Sequence, residues 1–251
     1  MLIQQTVARL HALRLTGMAT ALSEQQGQPD LASLSFEDRL TLLVEREVTA
    51  REDRRLTRLL QLAKLRLPAA AVEDLDFRAA RGLDRALLLR LATAEWIRQH
   101  QTVLLVGATG TGKTYIACAL GQSACRHGLT VRYLRLPRLL HDLGLARADG
   151  SYGKLLASLA KADLLILDDW RLAPLADRER RDLLEVLEDR HGRRATLVTS
   201  QLPLEHWHNC VGDPTFADAI LDRLVHQAHR LTLKGTSMRR HEAERKSTKR
   251  D

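Results

Sequence analysis

Gly107-Ala108-Thr109-Gly110-Thr111-Gly112-Lys113-Thr114 matches the spacing GxxxxGK[ST] at every fixed position. Glycines at this spacing let the backbone wrap closely with its N–H groups aimed at phosphate oxygens, and a following helix N-terminus adds positive potential. Lys113 is then expected to reach the β and γ phosphates of a nucleotide and Thr114 to offer its hydroxyl to Mg²⁺, with Tyr115 carrying the cradle into the helix. Such a site also needs a carboxylate at the end of a neighbouring strand, and Asp163-Leu-Leu-Ile-Leu-Asp168-Asp169 provides two. Asp168 is the expected Mg²⁺ partner through the ion's water shell, and Asp169 is placed to polarise an attacking water. Asp169 is one methylene shorter than the Glu more usual in that role, so hydrolysis is expected to be slow or to need a partner. One strand later, Ala195-Thr-Leu-Val-Thr-Ser-Gln201 ends in polar residues. Ser200 or Gln201 could hydrogen-bond the γ-phosphate or the lytic water, or could cap the helix that Leu202-Pro-Leu-Glu205 begins.

These residues need a strand before the loop and a helix after it, and Thr102-Val-Leu-Leu-Val106 and Tyr115-Ile-Ala-Cys-Ala-Leu120 have those patterns. Short apolar runs at 103–106, 131–134, 164–167, 196–199 and 230–233 alternate with helical patterns, which implies βαβ units. The expected fold is therefore α/β, a five-stranded parallel sheet with helices on both faces, preceded by an all-helical region. The first 66 residues read as helix with one break at Gly27-Gln-Pro-Asp30, then a cap at Ser33 or Ser35 and one long helix from Phe36. Residues 67–82 lose the periodicity and read as a linker that packs Leu75 and Phe77 onto the next domain. The expected domains are 1–70, helical; 71–238, nucleotide-binding; and 239–251, a basic disordered tail.

A 251-residue chain with 45% hydrophobic and 28% charged residues buries a core unaided, which excludes a staple-dependent miniprotein and a disordered chain. Its longest apolar runs are strand-sized, so no membrane span is expected, and its first residues lack the pattern of a secretory signal, so a cytoplasmic protein is expected. Cys118, Cys125 and Cys210 have no metal spacing and read as small buried side chains. His206 and His208 flank Trp207, a metal site in the sharp reading and helix packing in the plain one. The formal charge is +8; residues 1–80 hold 11 basic and 11 acidic residues, so the excess lies beyond them. Within that neutral segment Arg51, Arg54, Arg55 and Arg58 fall on one helical face. They form either a phosphate-binding or subunit-contacting stripe, or a solvated face answered by Glu47, Glu52 and Asp53.

Beyond the phosphate loop, an ordered set of segments runs through the chain: Phe36-Glu-Asp-Arg-Leu40, Glu45-Arg-Glu-Val-Thr-Ala-Arg-Glu-Asp-Arg-Arg55, Glu95-Trp-Ile97, Leu136-Pro-Arg-Leu-Leu140, Ala148-Asp-Gly-Ser-Tyr152, Thr199-Ser-Gln-Leu-Pro203 and Ala219-Ile-Leu-Asp-Arg-Leu-Val-His226. With it the chain resembles the transposition helper ATPases of the IstB type, relatives of the DnaC-type helicase loaders within the initiator branch of AAA+ proteins. The resemblance implies a helical domain joined to one AAA+ module, with ATP and Mg²⁺ as cofactors. It also implies a homo-oligomer assembled with ATP on double-stranded DNA, a partner transposase, and hydrolysis in response to that partner. Carried over by residue, Arg223 resembles the arginine finger that acts across a subunit interface, and Arg239, or Arg240 beside it, the second sensor arginine near the phosphates. Residues 136–161 resemble the extra helical wedge of that branch, which makes Arg138, Arg147 and Lys154 the main DNA candidates, with Arg135 and Arg171 behind them. Phosphate contacts from such residues position DNA without reading sequence. Two rivals share the phosphate loop: a loader that hands a helicase to single-stranded DNA, and a small-molecule kinase.

Overall fold

The computed structural model describes residues 2–28, 31, 33–78, 81–170 and 174–235. Arg171, Arg239, Arg240 and the basic tail lie outside them. The chain forms two compact units, Met1–Arg58 and Leu59–Asp251. The division falls inside a long helix, ahead of the expected boundary at 70, because Ala63, Leu65, Ala70 and Val72 are already buried core side chains.

The first unit is helical: α1 Leu2–Ala12, α2 Thr16–Gln26 and the start of α3 Phe36–Ala63. A break between α1 and α2 was not expected from the sequence; Arg14 takes a left-handed φ of 61° there, without the glycine that would signal it. Ser35 caps α3, its Oγ accepting from the Asp38 N–H at 3.1 Å and donating to the Asp38 carboxylate at 2.7 Å. At α2 the N-cap position is Leu15, which has no polar side chain, and Glu47 of α3 supplies the missing acceptor. Its Oε2 accepts from the Gly17 and Met18 N–H groups at 2.7 and 3.3 Å.

The second unit contains α4 Arg85–Ala92, α5 Glu95–Arg98, β1 Thr102–Gly107, α6 Lys113–Arg126, β2 Val131–Arg135, α7 Leu136–Asp149, α8 Tyr152–Lys161 and β3 Leu164–Trp170. It continues with α9 Asp177–Arg190, β4 Ala195–Ser200, α10 Trp207–Val211, α11 Pro214–Val225 and β5 His229–Leu233. The five strands form one sheet in the order β2-β3-β4-β1-β5, and every pairing is parallel. Helices on both faces explain why the strands read as apolar runs: Leu164, Leu165, Ile166 and Leu167 are all fully buried. On one face Leu136, Leu139, Leu140 and Leu143 of α7 and Leu183, Val186 and Leu187 of α9 pack into a core with Leu165, Leu167 and Val198. Trp170 at the end of β3 stacks on Trp207, ring centroids 4.6 Å apart. The β3–β4 register shifts between Leu167 and Trp170, an irregularity that falls on Asp168 and Asp169.

Candidate nucleotide site

β1 ends at Gly107 and α6 begins at Lys113, so the phosphate loop joins the C-terminal end of a strand to a helix N-terminus. Gly112 has a φ of 95°, which side chains rarely adopt. A Cβ at Gly107 would lie 2.4 Å from the Leu233 carbonyl oxygen, so only glycine lets β5 close against the loop. Lys113 is folded back onto that loop, its Nζ donating to the Gly107 and Ala108 carbonyls at 2.6 and 2.8 Å. Burial holds its pKa below the ordinary lysine value, opposed by the charges of Asp168 and Asp169. Thr111 closes the turn by donating to the Ala108 carbonyl at 2.9 Å, and Thr109 Oγ1 donates to Gln201 Oε1 at 2.6 Å. Tyr115 is half-buried on the first turn of α6.

Asp168 is the hub. Its carboxylate, 2% exposed, accepts from the hydroxyls of Thr114 at 3.0 and 3.1 Å, Tyr133 at 2.5 Å and Thr199 at 2.5 Å. Arg66 Nη1 lies 4.0 Å away. Burial and the hydrogen bond to that carboxylate push the Tyr133 phenol far above its ordinary range, so it remains a donor. Thr114 and Asp168 together offer the hard oxygen donors that suit Mg²⁺, which usually takes one or two carboxylates and keeps several waters. Asp169 sits next to this hub in a left-handed conformation, φ 67°, its N–H donating to Thr199 Oγ1 at 3.1 Å. Its carboxylate is held by Arg135 Nη2 at 2.8 Å. Of the two polar residues considered at the end of β4, Gln201 reaches the phosphate loop, whereas Ser200 is fully buried and accepts from the Leu202 N–H at 3.0 Å. Ser200 therefore makes a local turn.

Thr199, Tyr133 and Arg66 are residues of this site that the sequence did not single out. Thr199 precedes the polar pair considered at the end of β4 and was within reach of sequence reasoning. Tyr133 and Arg66 reach Asp168 from β2 and from the segment after α3, and no spacing encodes those approaches.

Arg223 lies elsewhere. It donates to the Ala219 carbonyl at 2.8 Å, pairs with Glu188 of α9, and lines a cavity of about 320 Å³ with Thr102, His191, Thr196 and Gln227. Thr102 begins β1 and Thr196 lies at the start of β4, so Arg223 sits by the N-terminal ends of the strands, whereas the phosphate loop follows their C-terminal ends. The six residues of β1 separate the two ends by ~17 Å.

The proposed DNA contacts differ in freedom. Arg147 is committed to Asp182 through two bonds of 2.9 and 2.6 Å and lies over the Tyr152 ring at 3.7 Å. Arg138 pairs with Asp142 at 2.9 Å within α7, and Arg135 with Asp169. Lys154 on α8 is exposed and has no ion pair among the described residues. In the helical unit Arg51 and Arg54 both donate to Glu47 Oε1, at 2.7 and 3.3 Å, while Arg55 and Arg58 follow on the same helix. His208 lies 3.4 Å from Asp218, Trp207 is buried against Trp170, and no group of three or more His, Cys, Asp or Glu among the described residues is arranged to hold a metal. The three cysteines are buried and free, and burial pushes the Cys125 thiol up to about 11. No described helix is long and apolar enough to cross a membrane.

A five-stranded parallel sheet with a phosphate loop after its β1 strand and an acidic pair at the end of β3 defines a P-loop nucleotide-binding module. Solved structures share this fold: the DnaC helicase loader (TM-score 0.54, 18% identity, 66% of this chain and 97% of that one) and DnaA of Aquifex aeolicus bound to AMPPCP (TM-score 0.55, 16%, 72% and 56%). The chain belongs to the family of IstB-like ATP binding proteins, whose profile matches residues 8–247. It is 51% identical over 242 residues to a protein of Sinorhizobium fredii described as an insertion sequence ATP-binding protein, covering 96% of this chain and 98% of that one. It is also 55% identical over 203 residues to an ATP-binding protein of insertion sequence IS1162 from Pseudomonas fluorescens, covering 81% and 88%.

Proposed function

We propose that this chain hydrolyses ATP as a homo-oligomer assembled on double-stranded DNA, deforms that DNA, and presents it to a transposase. The insertion-sequence relatives support the transposition context. The observation that carries the reading is the position of Arg223, at the end of the sheet opposite the phosphate loop. An arginine there cannot reach the nucleotide of its own subunit, but it can neutralise charge developing on the γ-phosphate of a neighbour's.

In each subunit the loop amides hold the phosphates while Lys113 exchanges its two carbonyl acceptors for phosphate oxygens. Thr114 and Asp168 would hold Mg²⁺, which neutralises phosphate charge when bound. Gln201 lies beside the loop to orient water, and Asp169 takes up its proton. Lys154 and Arg138 supply phosphate contacts to DNA, joined by Arg135 once it leaves Asp169.

Light scattering with ATP and Mg²⁺, with and without a short duplex, tests this. Growth in mass that needs ATP, together with duplex-stimulated phosphate release, is the expected result. A particle that stays monomeric under both conditions overturns the reading, and stimulation by single strands alone moves the chain to the helicase-loader role.

A further inference from the structure

Arg81 lies near the end of the linker, four residues ahead of α4 and outside the phosphate-loop and acidic motifs, yet it is 5% exposed. Its backbone is pinned to the end of β5, where the Lys234 N–H donates to the Arg81 carbonyl at 2.8 Å. Its guanidinium points at the phosphate loop, with Nη1 2.9 Å from the position a Cβ on Gly112 would occupy. A guanidinium presents five N–H donors in a rigid fork, and burying one without an anion is costly. Here Nη2 donates to the Asp76 carbonyl at 2.8 Å, Nε is buried with no partner among the described residues, and no described carboxylate forms an ion pair with it. Burial accordingly pulls its pKa below the ordinary arginine value, offset only by the charge of Asp76. A buried, incompletely paired cation beside the loop glycine and the N-terminus of a 14-residue helix lacks an anion.

We propose that Arg81 is a nucleotide-binding residue that contacts the α or β phosphate, the phosphates common to ATP and ADP, from the β5 side of the loop. The proposal rests on the reading of the phosphate loop as the ATP site and adds a second cation, opposite in origin to Lys113. Lys113 is a flexible point charge held by its own loop; Arg81 is a fork fixed before the ligand arrives. Because the contact is to phosphates that are not transferred, Arg81 governs affinity and product retention rather than the chemical step.

Binding of fluorescent ATP and ADP analogues to the full chain, and to Arg81→Gln, Arg81→Lys and Lys113→Ala, tests it. Arg81→Gln is expected to weaken ATP and ADP by a similar factor of ~10- to 100-fold, the range of a hydrogen-bonded charge contact, and Arg81→Lys by less. The unfolding temperature without nucleotide separates packing from binding: a purely structural Arg81 lowers it and leaves both dissociation constants, measured well below the transition, unchanged. ADP affinity equal to that of the wild type in Arg81→Gln overturns the proposal; if that variant does not fold, unchanged ADP affinity in Arg81→Lys does so. An intact chain that binds no ATP, or whose affinity is indifferent to Lys113→Ala, overturns the loop reading itself. Affinity that falls in Lys113→Ala and not in the Arg81 variants overturns the Arg81 assignment alone.

Discussion

Arg135, the last residue of β2, holds the carboxylate of Asp169 at 2.8 Å. In the proposed reaction Asp169 accepts a proton from water, and a carboxylate that shares its charge with a guanidinium is a poorer base. Arg135 is half exposed, and on the proposed reading a DNA phosphate competes for it and releases Asp169. Arg135→Ala is expected to raise unstimulated ATP hydrolysis by about 2- to 5-fold, the scale of one exposed ion pair, and to shrink the further gain from DNA. Steady-state phosphate release with and without duplex checks both. A basal rate that falls in the variant removes Arg135 as a restraint.

Arg223 is paired with Glu188 in the single subunit, and in the proposed oligomer it must leave that pair to reach a neighbour. Arg223→Ala should lower hydrolysis in the assembled state by about 10³-fold or more, the range for an arginine finger supplied in trans, with monomer ATP affinity unchanged. Glu188→Gln weakens the restraining pair and should lower the protein concentration at which activity appears. Titrating activity against protein concentration reads both effects; loss of monomer ATP binding in Arg223→Ala would falsify a role across the interface.

The legible parts of this molecule are those whose signal is local. The phosphate loop is one contiguous segment, and all five expected strands occur because strands buried on both faces are apolar runs. What escaped the sequence is convergence between distant segments. Tyr133 meets Asp168 across two strands, and Arg81 meets Gly112 from the linker. Arg147 looked like a free surface cation, but Asp182, 35 residues on, takes it. The α1–α2 break was hidden for the opposite reason, since Arg14 adopts a left-handed conformation without glycine's signature.

Thr199 ties the two acidic residues together, donating to Asp168 and accepting from the Asp169 N–H. Thr199→Val keeps its shape and leaves that N–H without its partner, at a cost of ~1–3 kcal/mol, or about 2–10 °C in Tm for a unit of this size. ATP affinity should change little, because the phosphate loop is untouched, while kcat falls as Asp169 loses its position. Calorimetry and single-turnover hydrolysis check the two halves; a kcat equal to that of the parent chain means that Asp169 is positioned without Thr199.

Glu47 is expected to make the helical unit sensitive to acid. Its carboxylate is held below the ordinary glutamate range chiefly by the hydrogen bond from Arg51, against the cost of desolvation, and further by the Met18 and Gly17 N–H groups. A group whose folded pKa is depressed contributes fully above its unfolded value, near pH ~4.3, and that contribution is lost as pH falls through the folded value. Acidification from neutral pH to below that window should therefore uncap α2 and free Arg51 and Arg54 together, since both share the same Oε1. Limited proteolysis between α1 and α3 should accelerate over this range in the wild type. Glu47→Gln, which cannot ionise, should be cleaved faster already at neutral pH and lose this part of the pH dependence. If the variant keeps the wild-type acid transition, another carboxylate of the unit carries it.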